Sequence, residues 1–100
     1  MDDQARAAAG AVDEARLWRR MMDMAAFGAT PAGGVNRAAF SREDIEARKT
    51  LIAWAGEFGF ATATDDIGNV YVRRAGTEAE APPVVTGSHL DSQPKGGKFD

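Results

Sequence analysis

Three side chains near the end of the chain, His89, Asp91 and Asp100, are of the types from which metal-assisted hydrolysis is built. In an extended backbone residues 89 and 91 point to the same side, with Cα atoms ~6.6–6.8 Å apart. One use of that spacing is a metal-binding imidazole whose other ring nitrogen donates to a nearby carboxylate, which fixes the tautomer and raises the basicity of the ligand. Spacing alone leaves open whether Asp91 curls onto His89 or orients a neighbouring group. Asp100 lies eleven positions beyond His89, after Pro94 and Gly96-Gly97. Glycines there let the backbone fold back and return a carboxylate toward the histidine. A carboxylate can bridge two divalent ions, and ions ~3.5–4 Å apart can clamp a hydrolytic transition state. One histidine and two aspartates fall short of a full site, since zinc takes about three protein ligands plus an open position. Each residue also has an ordinary use: a histidine after a strand is commonly structural, and an aspartate beside glycines commonly forms a turn. Lys95-Gly96-Gly97-Lys98 lacks the spacing of a phosphate-binding loop.

The elements that must position these groups are read from periodicity. Residues 1–12 are small and polar, and are expected to be a mobile leader, with an Ala-rich helix as the alternative. From Asp13 to Phe27 the spacing predicts a helix, with Leu17, Met21 and Met24 on one stripe, Asp13 as N-cap and Gly28 just past its end. Residues 28–37 (GATPAGGVNR) exclude regular structure through Pro31 and Gly33-Gly34. Ser41 caps a second predicted helix whose Ala47, Leu51, Trp54 and Phe58 share a stripe and which stops at Gly59. Then the period changes: Phe60–Thr64 and Val70–Arg73 predict a hairpin about the turn Asp65–Asn69. After an acidic loop at 76–83, Val84-Val85-Thr86 predicts a short strand buried on both faces, running into the loop that carries His89. Two helices, a β-hairpin and a buried strand that ends in polar residues imply an α/β layer architecture.

Composition narrows the function classes. The chain has 100 residues and a net charge of −3, without a Lys/Arg cluster, which makes nucleic acid an unexpected partner. It has no cysteine, which excludes a disulfide scaffold and any thiolate metal site. No apolar run approaches the ~20 residues of a membrane helix, and Met1-Asp2-Asp3 is not the start of a signal peptide, so a cytoplasmic setting is expected. Of the 44% hydrophobic residues, 20 are alanine, and Leu, Ile, Val and Phe total only 17. That is thin for an independent core, and together with a chain that stops inside a Gly-rich stretch it suggests an N-terminal fragment.

The string GSHLDSQPKGGKFD at 87–100 closely resembles the first metal-binding motif of the zinc-dependent amidohydrolases of the hydantoinase/carbamoylase family, relatives of the dinuclear metallo-aminopeptidases and dipeptidases. GATPAGGVNRAAFS at 28–41 is similar to that family's Gly-Gly-Val-x-Arg loop, and DDIGNVYVRRAG at 65–76 resembles its Asp-x-x-Gly-Asn hairpin. The likeness runs over about residues 14–100, with the segments in the same order.

The resemblance implies that residues 13–100 form the incomplete N-terminal part of a dinuclear-metallohydrolase catalytic domain. It implies that His89 ligates one metal ion, that Asp100 bridges two, and that Asp91 is a catalytic-site residue, the acidic side chain two positions beyond the ligand that supports the site. The general-base Glu, a neighbouring Glu ligand, two further His ligands and the lid and dimerisation domain would all lie beyond residue 100. The cofactors implied are two divalent ions, Zn first, with Mn, Co or Ni also suited to His and carboxylate ligands. The activity implied is hydrolysis of the carbamoyl C–N bond of N-carbamoyl-L-amino acids or N-carbamoyl-β-alanine by a cytoplasmic homodimer, the isolated fragment being inactive. Allantoate-type ureides and short peptides are the alternative substrates. A non-catalytic binding module is the alternative of another class, and the thin core counts against it.

Overall fold

The computed structural model describes residues 2–100. Its elements are α1 (Asp3–Gly10), α2 (Glu14–Ala25), α3 (Arg42–Glu57) and the antiparallel pair β1 (Ala61–Thr64) and β2 (Val70–Arg73). Each helix begins where a side-chain oxygen replaces a missing backbone acceptor. Asp2, Asp13 and Ser41 take the N–H groups of Ala5, Arg16 and Asp44 respectively. The leader expectation resolves in favour of its helical alternative: α1 is Ala-rich, capped, and buries no residue. Gly28 and Gly59 follow the two longer helices at φ +81 and +72, the left-handed backbone that glycine adopts without strain.

The hairpin forms where expected, with Thr64 opposite Val70. Its turn is held from within by Asp65, whose carboxylate accepts from the backbone N–H groups of Ile67 and Asn69, the Asn69 amide and the Tyr71 hydroxyl. The hairpin docks on α3 through Arg48, which donates to the Gly68 carbonyl and lies 5.0 Å from the Phe40 ring. Arg48 also pairs at 3.0 Å with Asp44, a fully buried carboxylate that accepts the Phe40 N–H at 2.8 Å. These bonds hold Phe40 at a positive φ of 62, unusual for an aromatic residue. Helices α2 and α3 meet through long side chains. Arg20 lies over Trp54 and Phe58 at 5.3 and 5.1 Å and approaches Glu57.

The core is as thin as the composition implies. The buried apolar residues are Ala25, Val35, Ala47 and Ala55, while Leu17, Trp18 and Met22 on α2 stay largely exposed. The radius of gyration is 15.7 Å, against about 13 Å for a compact domain of this length. One expectation is corrected. Val84-Val85-Thr86 forms no strand, and Val84 and Val85 are 100% and 82% exposed rather than buried. A strand buried on both faces needs neighbours on each side, and the one sheet among the described residues is the hairpin.

Candidate functional site

The segment 89–100 is built against the Gly-rich loop that follows α2. Val35, fully buried, exchanges both backbone hydrogen bonds with Gly96 at 3.0 Å, an isolated antiparallel pair. The approach is so close that a Cβ on Gly34 would collide with the Gly96 carbonyl. Pro94 begins the turn that delivers Gly96, closed by the Gly96 N–H on the Gln93 carbonyl at 3.1 Å. A second turn closes Asp100 onto Gly97 at 3.2 Å. Gly96 carries the Asp100 side chain above it, since a Cβ there would stand 2.8 Å from Asp100 Oδ2. The adjoining Phe99 ring packs on Trp18 of α2, with centroids 5.4 Å apart.

His89 and Asp91 are brought together. His89 Nδ1 lies 2.8 Å from the Asp91 carbonyl oxygen and 3.3 Å from its carboxylate Oδ1. Both partners only accept, so Nδ1 carries a proton and the lone pair of neutral imidazole sits on Nε2. Among the described residues no hydrogen bond engages Nε2. The His89 pKa is raised, first by the hydrogen bond to the Asp91 backbone, which with the charges of Asp91 and Asp100 outweighs the opposing effect of desolvation. Asp91 therefore curls onto His89, the alternative that spacing left open. Asp100 lies within electrostatic reach of His89 without bonding to it. Among the described residues no three His, Cys, Asp or Glu side chains gather closely enough to hold a metal ion. An imidazole Nε2 with carboxylates nearby is nevertheless a donor set suited to a divalent cation, as part of a fuller ligand set.

Arg37 was missed as a site residue at the level of sequence. The residue is only 2% exposed, and its guanidinium donates to three backbone carbonyls: Leu90 through Nε at 2.7 Å, and Met24 and Phe27 through one terminal nitrogen at 2.9 and 2.7 Å. Its own backbone pairs with Ser92, taking the Ser92 N–H at 2.7 Å and donating to Ser92 Oγ at 2.9 Å. The available signal was an arginine within a Gly/Pro-rich loop, directly after a helix whose last carbonyls need donors.

Sequence and fold comparisons agree. No model of a known protein family matches the chain. N-carbamoyl-L-amino-acid amidohydrolase of Rhizobium meliloti is 44% identical over 89 residues, which are 89% of this chain and 21% of that protein. Allantoate amidohydrolase of Bacillus subtilis is 39% identical over 77 residues, 77% of this chain and 19% of that protein. A crystal structure of a hydantoinase/carbamoylase family amidase from Burkholderia multivorans superposes with a TM-score of 0.86 at 54% identity, over 89% of this chain and 22% of that one. The chain belongs to the hydantoinase/carbamoylase family. It spans about a fifth of the length of these relatives. Family membership supports the α/β assignment. Among the described residues no helix is long and apolar enough to cross a membrane.

Proposed function

We propose that the chain contributes one half of a two-metal site to an amidohydrolase that cleaves the carbamoyl C–N bond of N-carbamoyl-L-amino acids or N-carbamoyl-β-alanine. The observation that carries the reading is the His89–Asp91 pair, with Nδ1 engaged and Nε2 open, in a chain 44% identical to an N-carbamoyl-L-amino-acid amidohydrolase. His89 would ligate through Nε2, and Asp91 would hold the ring in that tautomer. Asp100, carried back by the two turns, would offer its two carboxylate oxygens to a pair of ions. When bound, such ions lower the pKa of a water and polarise a carbonyl oxygen. Zn is the first candidate, with Mn, Co and Ni suited to the same donors. The activity is assigned to a protein of the relatives' length, expected as a cytoplasmic homodimer. The 100-residue chain alone should bind metal weakly and turn over nothing, because its own ligands are fewer than a site requires.

The test is an assay of the full-length protein on N-carbamoyl-L-amino acids and N-carbamoyl-β-alanine before and after removal of metal. Hydrolysis that disappears with chelator and returns with Zn or Mn supports the reading; undiminished hydrolysis after complete removal ends it. Allantoate is the second substrate to include, because an allantoate amidohydrolase is 39% identical. Cleavage of short peptides alone would move the assignment to a peptidase.

A further inference from the structure

We infer that Arg37 is the positioning residue of the His89–Asp91 pair, a role that rests on the metal-site reading above. A buried guanidinium normally demands a carboxylate. Arg37 has none within ion-pair distance among the described residues, and uses backbone carbonyls instead. Two of these, Met24 and Phe27, lie at and just past the C-terminal end of α2, where the helix carries partial negative charge. That end supplies the diffuse counter-charge for the guanidinium. The third carbonyl, Leu90, belongs to the residue between His89 and Asp91.

The arrangement therefore ties the chemistry-bearing segment to a helix terminus through one side chain. Leu90 is held by the guanidinium, and Ser92 by the Arg37 backbone on both its N–H and its hydroxyl. Asp91 sits between two anchored residues, and its carbonyl and carboxylate are the partners of His89 Nδ1. Holding Leu90 and Ser92 thus sets where Asp91 stands, and Asp91 sets which way Nε2 faces. Lysine cannot substitute, because three carbonyls approaching from two elements need the planar fork of several N–H donors, and a single ammonium cannot reach them all. Arg37 touches neither substrate nor ion in this scheme; it acts through the segment it holds.

The experiment uses the full-length protein with three variants, Arg37→Lys, Arg37→Ala and Ser92→Ala. Hydrogen–deuterium exchange is read on peptides spanning 24–28 and 88–93, alongside Mn²⁺ affinity and steady-state kinetics. In Arg37→Lys, exchange should rise at least about tenfold at residues 89–92 and at the end of α2, with α3 and the hairpin unchanged. Mn²⁺ affinity should fall between about 10- and 100-fold, the range typical of lost outer-sphere support, with kcat reduced more than KM changes. Guanidinium ion added to Arg37→Ala should restore both affinity and protection. If Arg37→Lys does not fold, Ser92→Ala supplies the same reading, with a smaller rise in exchange confined to 89–92. Wild-type protection and affinity in Arg37→Lys would overturn the inference. So would a uniform rise in exchange over the whole molecule without guanidinium rescue. If wild type itself binds no divalent ion and hydrolyses no ureide, the metal-site reading fails, while the exchange pattern still decides whether Arg37 holds the segment.

Discussion

The hairpin and the His89 segment are both short and largely exposed, and they are organised by opposite means. The hairpin is local: Asp65 satisfies donors on Ile67, Asn69 and Tyr71, all within six residues of itself. The segment 89–96 is held from a distance, with Leu90 and Ser92 bonded to Arg37 and Gly96 to Val35, each more than fifty residues away. Local bonds need little chain closure, whereas distant ones require that the helix, the Gly-rich loop and the segment all arrive together. The contrast is between a turn that its own sequence dictates and a site that exists only when three regions are assembled.

The largest expected effect falls on the assembled region. Arg37→Met would leave three carbonyls without their shared donor inside the structure, and should cost about 3 kcal/mol or more in urea unfolding, with exchange rising first at 89–92. Gly34→Ala should follow at about 2–3 kcal/mol, because the added methyl meets the Gly96 carbonyl and forces the Val35–Gly96 pair apart. Gly56→Ala is the counter-case. Nothing lies within 4 Å of a Cβ there, and within α3 the change should stabilise by about 0.5–1 kcal/mol. Gly34→Ala and Gly56→Ala giving equal effects would erase the distinction between assembled and local glycines.

Acid separates the two regions in another way. The Asp65 pKa is lowered from its ordinary 3.8, chiefly by the side-chain hydrogen bond from Asn69, which with the backbone N–H donors and Tyr71 outweighs the opposing effect of desolvation. A lowered folded pKa means that the hairpin gains stability above the ordinary carboxylate pKa and loses it as pH falls through the folded value. Tyr71 is raised above its ordinary 10.0, first by its hydrogen bond to Asp65, so its contribution is present below pH 10 and lost as pH rises through the folded value. The Arg37 clamp is a guanidinium held by backbone carbonyls, with no carboxylate in it. Amide chemical shifts followed from pH 6 to pH 3 should therefore move at residues 65–71 while that of Arg37 holds still. Parallel movement at both places would show that they are coupled.

Much of the fold was legible because its causes are near in sequence. Asp13 and Ser41 cap α2 and α3, and the turn at 65–69 has both its acceptor and its glycine within five positions. The α2 stripe was legible as a helix, but its burial was not: Leu17 and Trp18 are largely exposed, since a stripe reports periodicity and cannot supply what covers it. Val84-Val85-Thr86 failed for the same reason, its β-branched composition being strand-like and its partners absent from these residues. At the site, His89, Asp91 and Asp100 could be picked out by type and spacing. The curl of Asp91 onto His89 could not, because either rotation is compatible with a spacing of two.

By itself, then, the sequence determined the starts of α2 and α3, the hairpin, and the identity of the side chains able to do chemistry. Each of these depends on groups a few residues apart, where chain connectivity already enforces proximity. Tertiary structure alone decided that Arg37 would close on the carbonyls of Met24, Phe27 and Leu90. A carbonyl carries no mark in the sequence of the donor that will reach it. Only the folding of distant segments against one another selects which donor does.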